Sequence, residues 1–268
     1  MTDDALLENL IPAAQQAGRA AHLIYREGFT VEHKADATPV TEADRASEAI
    51  ILECLARLAP AIPVVAEESV EEAGGAPAVG REFFLVDPLD GTKEFIHRRG
   101  EFTVNIALIR DAQPALGVVY SPVGGMLYAG LVAARRAFRC AFPVDAAAAG
   151  PRTPLAVRAV PPEGVTAVVS RSHSTPQTEQ YLTRYVVSRR VSVGSSLKFC
   201  LVASGEADLY PRLGPTMEWD TAAGHAVLAA AGGQVLAPDG APLRYGKPQF
   251  RNSHFVAGGA LALVPLAG

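Results

Sequence analysis

An apolar run in the first third of the chain leads directly into two carboxylates, a glycine and a hydroxyl. Asp87 and Asp90 are separated by Pro-Leu, so at a strand end both carboxylates can turn toward one point together with the Leu89 carbonyl. Hard divalent cations prefer such sets of oxygen atoms. Gly91 allows close approach to an anion, and Thr92 offers a hydroxyl beside it. The segment predicts a metal-phosphate site, although the same residue types also build ordinary turns.

The proline after the first of these acids bears on which group attacks phosphorus. One class of phosphatases uses an aspartate nucleophile placed two residues before a second aspartate, and in this chain that place is taken by Pro88. Proline cannot attack phosphorus, so a phospho-aspartyl mechanism is not expected. The carboxylates are expected instead to hold metal that activates water.

A second pair of acids follows another apolar run. Glu67 and Glu68 come directly after Ile62–Ala66, which predicts that Glu67 lies at a strand end as Asp87 does. Two strand ends of one sheet can be neighbours. The alternative is that adjacent acids begin a solvated loop, since Glu is mostly exposed.

Two further acids stand at predicted helix starts. Asp44 follows Thr41 at the spacing of a capping box, and it could also reach a water near Thr92 if this helix abuts the strand ends. Asp220 begins the helix of Trp219-Asp-Thr-Ala-Ala-Gly-His225, where it could be an N-cap. A helix N-terminus also favours phosphate. Capping and a role in the site are compatible in both cases.

Cationic residues near two other predicted element ends could bind a second phosphate. Ser195 is predicted as the N-cap of a helix with Lys198 one turn in, and Arg212 follows a strand. Together with His173 they would form a cationic wall. The ordinary alternative for Lys198 is a surface lysine.

These residues need a scaffold of helices and strands. Between Leu6 and Ile24, apolar residues recur at helical spacing, and Gly28 ends this predicted helix. A second helix is predicted to start after Thr41 and to run to about Leu58. A mostly antiparallel sheet should follow, and then an α/β half. The predicted strands are 62–66, 82–86, 102–109, 115–120, 126–131, 165–170, 185–193, 207–210, 234–237 and 254–257, with helices at 175–183, 195–204 and 219–231.

The tract from Ala133 to Pro162 lacks clear periodicity and predicts an irregular connection. We therefore expect an α+β subdomain at residues 1–140 that carries most metal ligands, and an α/β subdomain at residues 141–268 that completes the site. The two are expected to form one structural unit.

Composition sets limits on partners and surroundings. The 268 residues are 49% apolar and 19% charged with a formal net charge of -4, and long Lys/Arg runs are absent, which argues against a polynucleotide partner. The three cysteines lie far apart in apolar surroundings, as expected of buried thiols in a reducing compartment. The acidic N-terminus does not resemble a signal peptide, and the longest uncharged run reads as a buried helix rather than a membrane span. A cytoplasmic protein is expected, either monomer or homodimer, with peripheral inner-membrane association left open.

The motifs together resemble those of the inositol monophosphatase superfamily of magnesium-dependent, lithium-sensitive phosphatases. They are Glu67-Glu-Ser, Asp87-Pro-Leu-Asp-Gly-Thr92 and Trp219-Asp-Thr-Ala-Ala-Gly224. Within the superfamily the chain is similar to the 3'(2'),5'-bisphosphate nucleotidases of the CysQ type, on Asp90-Gly-Thr-Lys-Glu-Phe95 and Gly194-Ser-Ser-Leu-Lys-Phe199. The resemblance implies a layered α-β-α-β-α sandwich.

The resemblance also implies a role for each matching residue. Two to three Mg²⁺ ions would be held by Glu67, Asp87, the Leu89 carbonyl, Asp90 and Asp220. The catalytic residues would be Asp44, Thr92 and Glu67, with Asp44 and Thr92 orienting and deprotonating the attacking water. The substrate would contact Glu67, Leu89, Asp90, Gly91, Thr92, His173, Ser195, Lys198, Arg212 and Asp220.

The activity expected from the resemblance is hydrolysis of 3'-phosphoadenosine 5'-phosphate to AMP and phosphate in sulfate assimilation, with inhibition by Li⁺. 3'-Phosphoadenosine 5'-phosphosulfate is a further expected substrate. Inositol phosphates and fructose 1,6-bisphosphate are alternatives within the class. A non-catalytic nucleotide sensor is the alternative of another class, and the intact set of carboxylates argues against it.

Overall fold

Helices and strands alternate along residues 1–33, 39–75, 77–171 and 175–266, which the computed structural model describes. The helices are α1 (Asp3–Glu27), α2 (Glu42–Leu58), α3 (Glu67–Glu72), α4 (Thr92–Ile96), α5 (Pro176–Leu182), α6 (Leu197–Ala203) and α7 (Trp219–Ala230), with a 3-10 turn at Pro248–Phe250. The strands are β1 (Glu32–His33), β2 (Pro39–Val40), β3 (Val64–Ala66), β4 (Glu82–Asp90), β5 (Thr103–Arg110), β6 (Gln113–Ser121), β7 (Met126–Leu131), β8 (Arg136–Ala141), β9 (Thr153–Pro154), β10 (Val165–Ser170), β11 (Val187–Val193), β12 (Leu209–Arg212), β13 (Gln234–Leu236) and β14 (Phe255–Gly258).

The larger sheet has seven strands in the order β3-β4-β5-β6-β7-β8-β9. Its first pair, β3 and β4, is parallel, and the following pairs are antiparallel. Side chains alternate across β4: Phe83 and Leu85 belong to the core on one face, Phe84 and Val86 to the core on the other. Both faces are apolar, so both must be covered.

Helices cover the two faces. Leu7, Leu10 and Ala14 of α1 are fully buried at helical spacing and pack with α2 on the face of Phe84. The opposite face packs on α7 and α6, and the side chains of Phe199 and Val227 lie in the same core as Leu85.

The smaller sheet closes the other side of this helical layer. It has five strands in the order β11-β10-β12-β14-β13. Phe255 of β14 and Val168 of β10 join the core that holds α6 and α7, whereas Tyr181 and Leu182 of α5 pack on the outer face. The layers are therefore helices, sheet, helices, sheet and helix, and the predicted α-β-α-β-α sandwich is confirmed.

The prediction for the tract from Ala133 to Pro162 was wrong in part. Arg136–Ala141 forms the regular strand β8, and Thr153–Pro154 pairs with it as β9. The arginines of β8 break the apolar pattern, but they find partners in space: Arg136 pairs with Asp4 and Arg139 with Glu206. The division into residues 1–140 and 141–268 stays a prediction.

Candidate active site

The parallel pairing of β3 and β4 brings two predicted ligands to one sheet edge. Ala66 is the register partner of Val86 in the last pair of this ladder, so Glu67, just after β3, and Asp87, the next residue of β4, both lie where the parallel pairing ends. Glu67 begins α3, and Glu68 is buried. The alternative of a solvated loop for Glu67 and Glu68 is therefore wrong, and the predicted neighbourhood of strand ends is confirmed.

The end of β4 contains a β-bulge rather than an ordinary turn. Asp87 is the partner of Asn105 and Asp90 is the partner of Thr103, so three steps along β4 match two along β5. The extra residue brings both carboxylates to the same region. Asp87 Oδ1 accepts a hydrogen bond of 3.0 Å from the Leu89 N–H.

Gly91 ends the strand and allows the next helix to begin. Its φ of 99° is in the left-handed region, which favours glycine. A Cβ at this position would lie 3.0 Å from the Glu101 carbonyl oxygen. The turn places Thr92 at the start of α4, directly after the bulge.

Asp44 both caps a helix and faces the site, as predicted. One carboxylate oxygen, Oδ2, accepts hydrogen bonds of 2.8 Å from the N–H and from the hydroxyl of Thr41. The other oxygen, Oδ1, lies 3.4 Å from the Thr92 hydroxyl. That hydroxyl is also 3.4 Å from the Leu89 carbonyl oxygen. Asp44 is buried, with 2% of its surface exposed.

Asp220 enters the site from the opposite direction, on the first turn of α7. The N-cap of this helix is Glu218, so the prediction of Asp220 as N-cap is corrected by two residues. Asp220 Oδ2 accepts a hydrogen bond of 2.8 Å from the Met217 N–H. The turn that begins α7 therefore fixes this carboxylate.

These elements surround a cleft of about 400 Å³. Eight of the predicted site residues line it: Glu67, Asp90, Gly91, Thr92, Ser195, Lys198, Arg212 and Asp220. Asp44, Asp87 and Leu89 lie behind this lining and are buried. His173 falls outside the residues that the structure describes.

Another part of the cleft lining is cationic. Lys198 is buried, so the alternative of a surface lysine is wrong, and its Nζ donates a hydrogen bond of 2.5 Å to the Ser195 carbonyl. Arg212 is the last residue of β12, and one of its terminal nitrogens donates to the Pro215 carbonyl at 3.0 Å. The Arg212 Nε is buried and has no hydrogen-bond partner among the described residues.

Ser195 is not the predicted N-cap. The cap position of α6 is Ser196, and Ser195 precedes it with a φ of 50°, in the left-handed region. The Ser195 hydroxyl is buried and has no partner within the described part of the chain.

Burial and mutual repulsion raise the pKa values of aspartate carboxyl groups in the cleft. Burial raises the pKa of Asp87 well above its usual range, and Glu67, Asp90 and Asp220 raise it further. Desolvation raises the pKa of Asp90 to about 6, against the opposing effect of Lys198. Desolvation and the charge of Asp90 raise the pKa of Asp220 to about 7.

Burial lowers the pKa of the lysine in the cleft, which is the opposite direction to these carboxyl groups. Burial lowers the pKa of Lys198 to about 8, and the positive charge of Arg212 lowers it further, whereas Asp90 raises it. Two oppositely charged walls therefore face one cleft.

The acidic wall has the donor chemistry that a hard divalent cation requires. Glu67, Asp87, Asp90 and Asp220 share one electrostatic neighbourhood, and the Leu89 carbonyl stands beside them. Such a concentration of desolvated carboxylates is costly without a cation. Across the four described ranges, no three His, Cys, Asp or Glu side chains already form a closed metal-binding cluster. The residue types fit a metal, and their assignment as ligands stays a prediction.

Sequence reasoning missed several residues of the cleft. Tyr210 lines it, and its ring centroid lies 5.4 Å from Lys198 Nζ. Strand alternation from Arg212 would have placed Tyr210 on the same face. Lys93 and Arg251 also line the cleft as exposed cations. Lys93 lies next to Thr92, whereas Arg251 carries no local signal.

The comparisons with known proteins agree with this fold and this set of motifs. Residues 3–263 match the inositol monophosphatase family, and the chain belongs to that family. Among curated relatives, a protein of Shigella flexneri named 3'(2'),5'-bisphosphate nucleotidase CysQ is 46% identical over 242 residues, which cover 90% of this chain and 94% of the relative. The predicted resemblance is confirmed.

Two solved structures show how far the likeness extends. CysQ from Bacteroides thetaiotaomicron superposes with a TM-score of 0.80 at 39% identity and covers 96% of this chain and 98% of its own. An inositol monophosphatase from Anabaena has a TM-score of 0.72 at 27% identity, with coverage of 96% and 92%. The whole layered fold is shared.

Over the described ranges, the helices are too short or too polar to cross a bilayer.

Proposed function

We propose that this protein is a Mg²⁺-dependent phosphomonoesterase that converts 3'-phosphoadenosine 5'-phosphate to AMP and phosphate, as a clearing step in sulfate assimilation. 3'-Phosphoadenosine 5'-phosphosulfate is a second proposed substrate, since it carries the same 3'-phosphate. Membership of the family and the similarity to proteins named CysQ support the reaction class.

The observation that carries the proposal is the pairing of two oppositely charged walls in one cleft. The carboxylates of Asp90 and Asp220 and the buried cations Lys198 and Arg212 line the same cleft. One phosphate can bind at the acidic wall through metal while a second meets the cations directly. A small molecule with two anionic groups uses both walls.

Glu67, Asp87, Asp90, Asp220 and the Leu89 carbonyl are the residues that would hold the metal. When bound, Mg²⁺ supplies positive charge that neutralises the phosphate and stabilises the leaving oxygen. A total of two to three ions and inhibition by Li⁺ belong to the same proposal.

The chain's own groups would orient the nucleophile. The Asp44 carboxylate and the Thr92 hydroxyl, 3.4 Å apart, would hold a water between them and the phosphate, with Asp44 accepting the proton. Water oxygen then bonds to phosphorus, the bond from phosphorus to the 3'-oxygen breaks, and that oxygen takes up a proton from solvent, to which Asp44 returns the proton that it accepted. The N–H groups of Gly91 and Thr92 would hold the transferred phosphate.

The second phosphate would meet groups that now lack partners. Arg212 Nε and the Ser195 hydroxyl are buried without a hydrogen bond in the described ranges, and both residues line the cleft beside Lys198. A buried unpaired donor is costly, and a phosphate oxygen would satisfy it. His173 is proposed to complete this group.

Phosphate release from a set of substrates tests the proposal. We expect the highest kcat/KM with 3'-phosphoadenosine 5'-phosphate, measured with Mg²⁺ against 3'-phosphoadenosine 5'-phosphosulfate, inositol 1-phosphate and fructose 1,6-bisphosphate. Preference for inositol monophosphate or for the sugar bisphosphate would replace the nucleotidase assignment with one of these alternatives.

Turnover also separates an enzyme from a nucleotide sensor. Asp90→Asn and Asp220→Asn each remove charge from the proposed metal site, so we expect turnover to be abolished while circular dichroism shows a folded protein. Retained turnover in both variants would overturn the ligand assignment. Nucleotide binding without turnover in the unaltered protein would favour the sensor. A cytoplasmic location and a monomeric or homodimeric state stay predictions.

A further inference from the structure

One face of α2 carries polar residues that are buried against the site. Asp44, Ser47 and Glu48 are exposed by only 2%, 0% and 4% of their surfaces. Residues three and four apart share a helix face, so all three point the same way. Asp44 meets Thr92, and the Ser47 hydroxyl donates a hydrogen bond of 2.8 Å to the Pro88 carbonyl in the β4 bulge. This face therefore contacts the elements that form the acidic wall.

Glu48, on the same face of α2, contacts the N-terminus of α3. Its Oε2 accepts a hydrogen bond of 2.9 Å from the Glu68 N–H, and its Oε1 accepts from the Ser69 N–H at 2.8 Å and from the Ser69 hydroxyl at 2.5 Å. The first N–H groups of a helix need partners from outside the helix. The N-cap residue of α3 is Ala66, which has no side-chain acceptor, so Glu48 supplies the cap from a different helix.

This cap fixes the backbone on one side of Glu67. On the other side, Ala66 is held by its pairing with Val86 in the β3–β4 ladder. Glu67 is the single residue between the ladder and the capped N–H groups. Its backbone position is therefore set jointly by β4 and by Glu48.

We infer that Glu48 is a positioning residue that holds the Glu67 carboxylate in the metal site. The inference rests on the proposed function, in which Glu67 binds metal. Replacing a residue that orients a metal ligand typically lowers metal affinity or activity by about 10–100-fold. Loss of the cap should thus weaken metal binding while the cationic side of the cleft stays unchanged.

The first test compares Glu48→Gln with the unaltered protein. Two quantities are measured: Mn²⁺ affinity by electron paramagnetic resonance, and the Mg²⁺ concentration that gives half-maximal activity. In Glu48→Gln, an amide NH₂ faces the α3 N–H groups in place of a carboxylate oxygen. We expect Mn²⁺ affinity to fall by roughly 10-fold or more, and KM at saturating Mg²⁺ to change by less than about 2-fold. Glu53→Gln makes the same change at an exposed position of α2 and should change neither quantity.

A second variant separates capping from charge and guards against misfolding. Ser69→Ala removes one hydrogen bond to Glu48 and leaves every charge in place, so we expect a smaller fall in Mn²⁺ affinity in the same direction, about 2–5-fold. Unchanged Mn²⁺ affinity in both Glu48→Gln and Ser69→Ala, with affinity lost in Glu67→Gln, would overturn the positioning role alone. Unchanged affinity in Glu67→Gln would overturn the ligand role of Glu67 itself, and with it the inference.

Discussion

At the scale of single residues, the cationic side of the cleft keeps groups in states that a protein interior usually avoids. Ser195 is a non-glycine residue with a φ of 50°, and its hydroxyl and the Arg212 Nε are buried without partners among the described residues. A left-handed backbone at such a residue costs on the order of 1 kcal/mol. Such conformations persist where the surroundings determine them and a ligand uses them.

The surroundings of Ser195 do determine its conformation. Glu101 accepts a hydrogen bond of 2.8 Å from the Gly194 N–H, and Asn105 accepts one of 2.7 Å from the Ser196 hydroxyl. Both acceptors belong to the segment that leads into and forms β5, and Asn105 Nδ2 also lies 3.4 Å from Asp90 Oδ2. The strand that supports the acidic wall therefore also holds the residues flanking Ser195.

The cations predict a specific kinetic effect. Arg212→Ala and Lys198→Ala should each raise KM for 3'-phosphoadenosine 5'-phosphate by about 10–100-fold, since a hydrogen bond to a charged group contributes roughly 1.5–3 kcal/mol. Arg189→Ala, on the exposed edge strand β11, is the matched control and should leave KM unchanged. Steady-state phosphate release measures the effect. An unchanged KM in both cleft variants would remove the second phosphate site.

Residue types and spacing were sufficient to predict the acidic wall but not the state of the cationic one. Asp87 and Asp90 follow the apolar residues of β4 at the end of that strand, and Asp44 follows a capping threonine, so local sequence was sufficient to place them. The left-handed Ser195 depends on Glu101 and Asn105, which are about ninety residues away in sequence. Contacts of that kind leave no local pattern.

At the scale of elements, two glycines set how closely α7 approaches the larger sheet. Gly117 of β6 and Gly130 of β7 are register partners. A Cβ on Gly117 would lie 2.6 Å from the Ala223 carbonyl oxygen, and one on Gly130 would lie 2.7 Å from Val227 Cα. The helix backbone therefore rests directly on the sheet. Because α7 carries Asp220, this contact also positions the acidic wall.

Gly130→Ala should force α7 away from the sheet. We expect the free energy of unfolding to fall by about 1–3 kcal/mol, the usual cost of overpacking a core, and Mg²⁺ activation to weaken as Asp220 shifts. Urea unfolding and Mg²⁺ titration of activity measure the two effects. Gly80→Ala is the control, since a Cβ there meets no atom within 4 Å. Equal stability of the two variants would contradict the close packing of α7.

The interior of α7 also predicts a pH effect on stability. His225 is 5% exposed, and its Nδ1 lies 2.9 Å from the Tyr245 hydroxyl. Burial lowers its pKa to about 3 from an ordinary 6.5. The folded state thus binds this proton less tightly than the unfolded chain. The neutral imidazole's contribution to the free energy of unfolding is therefore present above pH 6.5 and is lost as the pH falls toward 3.

Between neutral pH and about pH 5, this histidine should reduce the free energy of unfolding by about 2 kcal/mol. His225→Gln should lack this part of the acid sensitivity, as measured by urea unfolding at the two pH values. His254→Gln changes an exposed histidine and should retain it. Acid sensitivity of His225→Gln as steep as in the unaltered protein would show that the buried imidazole is not the cause.

Element bounds followed from sequence where the pattern was regular. The limits of β7 and β10 match the prediction at both ends, because apolar residues fill these central strands. In the missed strand β8, two arginines interrupt the apolar residues, and they pair with acids in α1 and in the turn after α6. Sequence alone could not supply those partners.

At the scale of the whole molecule, desolvated carboxylates tie stability to pH and metal together. The pKa values of Asp90 and Asp220 rise from 3.8 to about 6 and about 7, so the metal-free folded state binds their protons more tightly than the unfolded chain. Their contribution is present below about pH 4 and is lost as the pH rises through 6 to 7. A cation at the same place would compensate for that loss.

Mg²⁺ should therefore raise Tm more at about pH 8 than at about pH 5, because protons compete with the cation at the lower pH. Differential scanning calorimetry with and without Mg²⁺ measures the two shifts. Asp220→Asn should reduce the shift at the higher pH. An Mg²⁺ shift that is equal at both pH values would contradict binding by these carboxylates.

The order of the layers along the chain has a consequence for synthesis on the ribosome. The larger sheet is complete at β9, but its face of Phe83 and Leu85 is covered by α6 and α7, and α7 ends only at Ala230. Translation of the intervening residues takes on the order of ten seconds. During that interval the nascent chain presents an uncovered apolar sheet face, so chaperones should engage it at this stage, and release before α7 should yield an aggregating fragment.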